Sequence, residues 1–139
     1  NFGYGIFDRE ETRQLGGSGF HQRGGEGALE IGYWVAVDAI GQGIATEVTA
    51  VKTRIGFEIA GLERIDIQVE PHNDRSLAIP RKLGFTEEGL LRRRLEPGEE
   101  GGPRRDSTLF TMLAEELAGS PCLAYDYVAY DAAGNRLQP

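Results

Sequence analysis

At 139 residues and 15.2 kDa the chain has the size of one ordinary domain, which excludes a second full catalytic unit. Hydrophobic residues make up 40% and charged residues 27%, with no run near the roughly 20 apolar residues of a membrane span, so the composition reads as globular rather than integral to a membrane. Fifteen basic against 22 acidic residues leave a net charge of −7, the wrong sign for holding a nucleic-acid backbone and a suitable one for amines.

The chain opens at Asn1, with no starting methionine and no leader pattern, and reads as a piece of a longer protein. Phe2 to Phe7 alternates large residues with glycine, and Leu15 to Gln22 supplies a second short strand, so a hairpin is expected. After the Gly24–Gly27 turn, Ala28 to Val37 (ALEIGYWVAV) is the strongest strand, rich in aromatic and branched residues. The period then changes: Ile44, Val48, Val51, Ile55 and Ile59 recur at helical spacing, and Gly61 closes that helix. Ile65, Ile67 and Val69 alternate with polar residues up to Pro71, and a right-handed crossover places this strand parallel to Ala28–Val37. Asn73 is suited to cap a helix over Asp74 to Lys82 that contains Pro80. Strands are expected at Phe85–Arg93 and Ser107–Ala114, separated by a mobile Gly/Pro-rich loop from Glu96 to Arg105. Leu123 to Tyr130 reads as a further strand, with a turn at Ala133–Asn135.

Between the strongest strand and the longest helix lies Gly41-Gln42-Gly43-Ile44-Ala45-Thr46. Small residues at a helix N-terminus let backbone N–H groups face an anion such as a pyrophosphate, although glycines at a tight strand-to-helix turn need no ligand. Cys122 is the single cysteine and His21 and His72 the only histidines, too few for a disulfide or a histidine-based zinc site. No metal is expected, and the lone thiol points to the reducing cytoplasm.

Three motifs in this order carry more information together than any one alone. They are EIGYWV at Glu30–Val35, GQGIATE at Gly41–Glu47, and Asn73-x-x-Ser76 followed by KLGF at Lys82–Phe85. Together they resemble the GNAT acetyltransferase superfamily, most closely its RimJ/RimL type, the ribosomal-protein N-terminal acetyltransferases, over Phe2 to Leu113. The resemblance implies an α/β fold of α+β type: a mixed sheet splayed open at a parallel strand pair, with flanking helices and acetyl-coenzyme A in the cleft. It implies an acetyltransferase domain over residues 1–117, lacking the family's N-terminal strand and helices. Residues 118–139 would be a C-terminal extension, either an extra hairpin or the start of a following domain. If nothing precedes Asn1, exposed sheet would favour a homodimer.

Carried over by position, the resemblance assigns the coenzyme pyrophosphate to the backbone of Gly41, Gln42, Gly43, Ile44, Ala45 and Thr46. Ile40 departs from the family pattern, which has Arg or Gln there. Val35 and Val37 would pair with the pantetheine arm through their strand edge, and Asn73 would hydrogen-bond that arm. Ser76 would give the leaving thiolate its proton, the family's other donor, a tyrosine, being replaced by Pro80. A serine here also suits a helix's first turn. Glu30 matches a strand glutamate that acts as base, and desolvation in an apolar strand would raise its pKa; it could instead brace the sheet against an arginine. Glu70 and Glu96 compete for the base role. His72 could relay a proton or sit in a surface turn, and Tyr33 and Trp34 suit a cleft wall. Arg92–Arg94, Arg104 and Arg105 form a solvated rim. The implied reaction is direct acetyl transfer to a primary amine, of a peptide N-terminus or of a small polyamine or aminoglycoside. A non-catalytic acyl-coenzyme A binding module is the rival from another class. The acceptor would be selected by the Gly24–Gly27 turn and the Glu96–Arg105 loop, with Glu96, Glu99 and Glu100 attracting an ammonium group.

Overall fold

The alternating strands assemble into one six-stranded sheet in a computed structural model that describes residues 1–139. Strands β1 (Phe2–Phe7), β2 (Gln14–His21) and β3 (Ala28–Val35) form one antiparallel half. Strands β4 (Arg64–Val69), β5 (Thr86–Leu95) and β6 (Arg105–Leu113) form the other, with β6 between its partners. The halves meet in a single parallel seam that pairs Ala28 with Arg64, Leu29 with Ile65 and Glu30 with Asp66. Past Glu30 and Asp66 the two strands no longer pair with each other, although β3 continues to Val35 beside β2 and β4 to Val69 beside β6, so the sheet opens into a V. This is the splayed mixed sheet expected from the resemblance.

Strand β3 stops two residues earlier than the sequence suggests. Its ladder with β2 ends at Val35 opposite Gly16; Ala36 still donates to the Leu15 carbonyl at 2.7 Å, and the chain then leaves the sheet through a 3-10 turn at Val37–Ala39. Val37 is 88% exposed. Helix α1 (Ile44–Glu58) then crosses over to β4. Its buried positions are Thr49, Ala50, Lys52, Thr53 and Gly56, while the apolar spacing from Ile44 to Ile59 occupies a half-buried flank. The reason is closeness of approach. A Cβ on Gly56 would stand 2.7 Å from the Ile65 side chain, and Thr49 and Thr53 satisfy their hydroxyls inside the helix, donating to the carbonyls of Ala45 and Thr49.

The core lies between this helix layer and one sheet face, where Ile31, Ile65, Ile67 and Val69 meet Ala50, Leu77 and Leu83, with Phe110 and Met112 beside them. Alternation along β3 and β4 sends Glu30, Asp66 and Gln68 to the opposite face. Helix α2 (Asp74–Lys82) is capped by Asn73 as expected and carries Pro80 buried in its last turn. The segment after β6 folds back into the same core: Leu117 and Cys122 are buried, Ser120 donates to the Leu83 carbonyl, and Arg54 of α1 donates to the Tyr125 carbonyl. Leu123–Tyr130 is therefore mostly irregular, with a 3-10 turn at Pro121–Ala124. Only β7 (Ala129–Tyr130) pairs, with β8 (Arg136–Leu137), across the predicted turn.

The loop expected to be mobile is held at its base. Arg104 donates to the Glu96 carboxylate at 2.9 Å and to the carbonyls of Arg93 and Arg94, and Arg105 donates to the Glu96 carbonyl at 2.7 Å. A bulge in β5 turns Arg93 to a φ of 54°, and its N–H is received by Asp106. No helix is long and apolar enough to cross a membrane.

Candidate active site

Where the sheet opens, a cleft of about 740 Å³ lies between the free end of β3, the loop entering α1, and α2. That volume suits a coenzyme-sized ligand. The loop reaches α1 through Gly41 at φ 85° and Gly43 at φ 75°, left-handed conformations that glycine adopts without penalty. Gly43 is the N-cap, so the first backbone N–H groups of α1 have no acceptor within the helix, and the helix dipole concentrates positive potential there. Arg75 and Lys82 line the opposite wall from α2. No carboxylate lines the cleft of this acidic protein. The arrangement favours a polyanion.

Most of the expected coenzyme residues are brought together here: Val35, Gly41, Gly43, Ile44, Ala45, Thr46, Asn73 and Ser76 all line the cleft. Val37 and Gln42 do not; Val37 is carried off the strand by the 3-10 turn, and Gln42 is an exposed residue between the two glycines. Ile40 lines the cleft where the family pattern has a polar side chain, and the missing charge is met from α2 by Arg75 and Lys82. Sequence reasoning passed over both as cleft cations. Their signal was available, because Arg75, Ile79 and Lys82 fall at i, i+4 and i+7 on one helix face. The Asn73 side-chain oxygen accepts the Ser76 N–H at 3.2 Å, which fixes the first turn of α2 and directs the Asn73 carboxamide nitrogen elsewhere.

Glu30 does not line this cleft. It is 7% exposed, on the face of the sheet away from the helices, at the last pair before the strands diverge. Its carboxylate accepts from Arg23 at 3.3 Å and from Gln68 at 3.1 Å. Burial pushes its pKa up and the neighbouring Asp66 carboxylate adds to this, against Arg23 and Gln68. Both sequence readings of Glu30 thus coexist, the arginine brace and the raised pKa. The other carboxylates are committed elsewhere, Glu70 to Arg105 at 2.8 Å and Glu96 to Arg104. His72 is exposed in the turn before α2. His21, not singled out by sequence, stands directly opposite Glu30 in the β2–β3 register, its imidazole held below the ordinary value by burial and by Arg23 and Lys52. Cys122 is buried in the core, its thiol pushed up by burial.

The sequence matches the family model of the acetyltransferase (GNAT) domain over residues 1–86. The chain belongs to the GNAT acetyltransferase family. It is 33% identical over 117 residues to an uncharacterized N-acetyltransferase, p20, of Bacillus licheniformis, covering 84% of this chain and 64% of that protein. It is 31% identical over 93 residues to the [ribosomal protein uS5]-alanine N-acetyltransferase of Escherichia coli, covering 66% of this chain and 48% of the relative. Among solved structures it is similar to Mycobacterium smegmatis RimJ in complex with CoA-disulfide, with a TM-score of 0.71 and 37% identity, over 80% of this chain and 53% of that one. The chain thus spans between about half and two thirds of the relatives it matches.

Proposed function

We propose that the protein transfers an acetyl group from acetyl-coenzyme A to a primary amine by direct attack. The observation that carries this reading is the cleft, where a helix N-terminus and the cations Arg75 and Lys82 converge without a carboxylate in a chain of net charge −7. That electrostatic pattern fits a coenzyme bearing several phosphates. The donor supplies an acyl group activated as a thioester. Backbone N–H groups of Gly41 to Thr46 hold the pyrophosphate, and the unpaired edge of β3 about Val35 pairs with the amides of the arm. The Asn73 carboxamide nitrogen donates to that arm.

The amine approaches from the sheet face that carries Glu30, which receives its proton, directly or through water, at the point where the strands part. A buried carboxylate with a raised pKa is better matched to that task near neutrality than an exposed one. Ser76, on the coenzyme side, returns a proton to the departing sulfur. A protein N-terminus is the acceptor class favoured by similarity to a ribosomal-protein alanine N-acetyltransferase, and a cytoplasmic setting accords with an acceptor of that class.

Isothermal titration with acetyl-coenzyme A, followed by a thiol-release assay with an alanine-terminated peptide and with spermidine, tests the reading. Saturable coenzyme binding and peptide-dependent thiol release are expected. Absence of coenzyme binding overturns it, and binding without thiol release for any amine identifies a non-catalytic acyl-coenzyme A module.

A further inference from the structure

Proline inside α2 removes a hydrogen bond at a functionally exposed point. Residue 80 has no N–H, so the carbonyl of Ser76, four residues earlier, lacks its α-helical donor. A carbonyl in that position draws a donor from outside the helix. The Tyr33 hydroxyl supplies it, donating to the Ser76 carbonyl at 3.2 Å from β3, on the other side of the opening sheet. Both residues line the cleft.

We infer that Tyr33 is a positioning residue: its bond to the carbonyl left open by Pro80 spans the mouth of the V and fixes the Ser76-bearing turn of α2 against the free end of β3. Three features support this. The Ser76 turn is held from its other end by Asn73, whose side-chain oxygen takes the Ser76 N–H, so the residue is clamped at both backbone groups. The strands themselves cannot set the width of the mouth, because their pairing ends at Glu30 and Asp66. Burial pushes the Tyr33 phenol up, which keeps it a donor throughout the neutral range. Sequence alone gives Tyr33 as a cleft-wall aromatic and Pro80 as a helix distortion; the contact joins them into one device.

The inference rests on the acetyl-transfer reading for its catalytic consequence and on geometry alone for the link itself, so the test has two readouts. Tyr33→Phe keeps the ring and removes the donor. Amide hydrogen exchange of Ser76 and Leu77 is expected to quicken about fivefold, the usual scale of one net hydrogen bond. In the thiol-release assay kcat is expected to fall by about the same factor, while affinity for acetyl-coenzyme A is unchanged, a division that general loss of structure would not produce. Pro80→Ala restores an N–H that can reach the Ser76 carbonyl within the helix. In that background Tyr33→Phe is expected to alter exchange and kcat by less than about twofold. The exchange pattern without acetyl transfer by any variant upholds the link and rejects the acetyl-transfer reading. Unchanged exchange in Tyr33→Phe, or an equal effect with proline and with alanine at position 80, overturns the inference.

Discussion

The buried ammonium of Lys52 gives the most quantitative test of the packing. Lys52 sits on the face of α1 turned to the sheet, 7% exposed, and its Nζ has no hydrogen-bond acceptor. Burial lowers its pKa from 10.5 to about 8. At about 1.4 kcal/mol for each tenfold change in acidity, desolvation alone disfavours the charged form by about 3 kcal/mol. The rings of Phe20 and Tyr4 lie 4.1 and 4.7 Å from Nζ and return roughly 1 kcal/mol each. Between its folded and unfolded values such a lysine binds more protons unfolded than folded, so stability rises with pH from about 8 to 10.5 and is flat below. Lys52→Met, of similar volume, removes that slope. Urea unfolding from pH 7 to 10.5 should show the lysine protein gaining about 1 to 3 kcal/mol on the methionine variant. Parallel stability curves would refute the reasoning, because they require an ammonium that is solvated or paired.

Three further outcomes follow from the site. Glu30→Gln should lower kcat/KM at least about a hundredfold and abolish its acid limb; in the parent that limb lies above the ordinary carboxylate value, because activity is lost as Glu30 is protonated on falling pH. Arg75→Ala and Lys82→Ala should each raise the dissociation constant for acetyl-coenzyme A about fivefold at low ionic strength and much less at high salt, read by titration calorimetry. Charge reversal of Glu99 and Glu100 to lysine should raise KM for a basic peptide acceptor, more strongly at low salt, with coenzyme affinity unaltered; an unchanged KM removes that loop from the acceptor path.

The succession of strands and helices along the chain, the parallel pair and the loop into α1 were legible from local signals joined to the right-handed crossover: aromatic and branched residues in β3, alternation in β4, a change of period at Ile44, and glycines at the turn. What escaped depends on neighbours. Val37 continues the apolar run of β3, but the 3-10 turn that leads toward α1 begins at that residue, and nothing in its side chain marks the departure from the sheet. The buried face of α1 was hidden because hydrophobicity marks residues that prefer to leave water, whereas Gly56, Thr49 and Thr53 are buried for being small or internally satisfied. The Glu96–Arg105 loop looked unrestrained by composition. Its restraint comes from arginine donors meeting backbone carbonyls across a bulge, which no count of glycines reveals.

The brevity of the parallel seam bears on how the molecule yields under stress. Three residue pairs join two antiparallel ribbons, each of which satisfies its own interior hydrogen bonds. Such a sheet has a built-in fracture line, along which the ribbons can separate before either loses its internal pairing. A ligand that lies in the V as a surrogate strand sutures that line, and its binding free energy adds to the shared core in holding the two ribbons together. Occupancy of the cleft is therefore expected to delay the parting of the two ribbons relative to the loss of pairing within either.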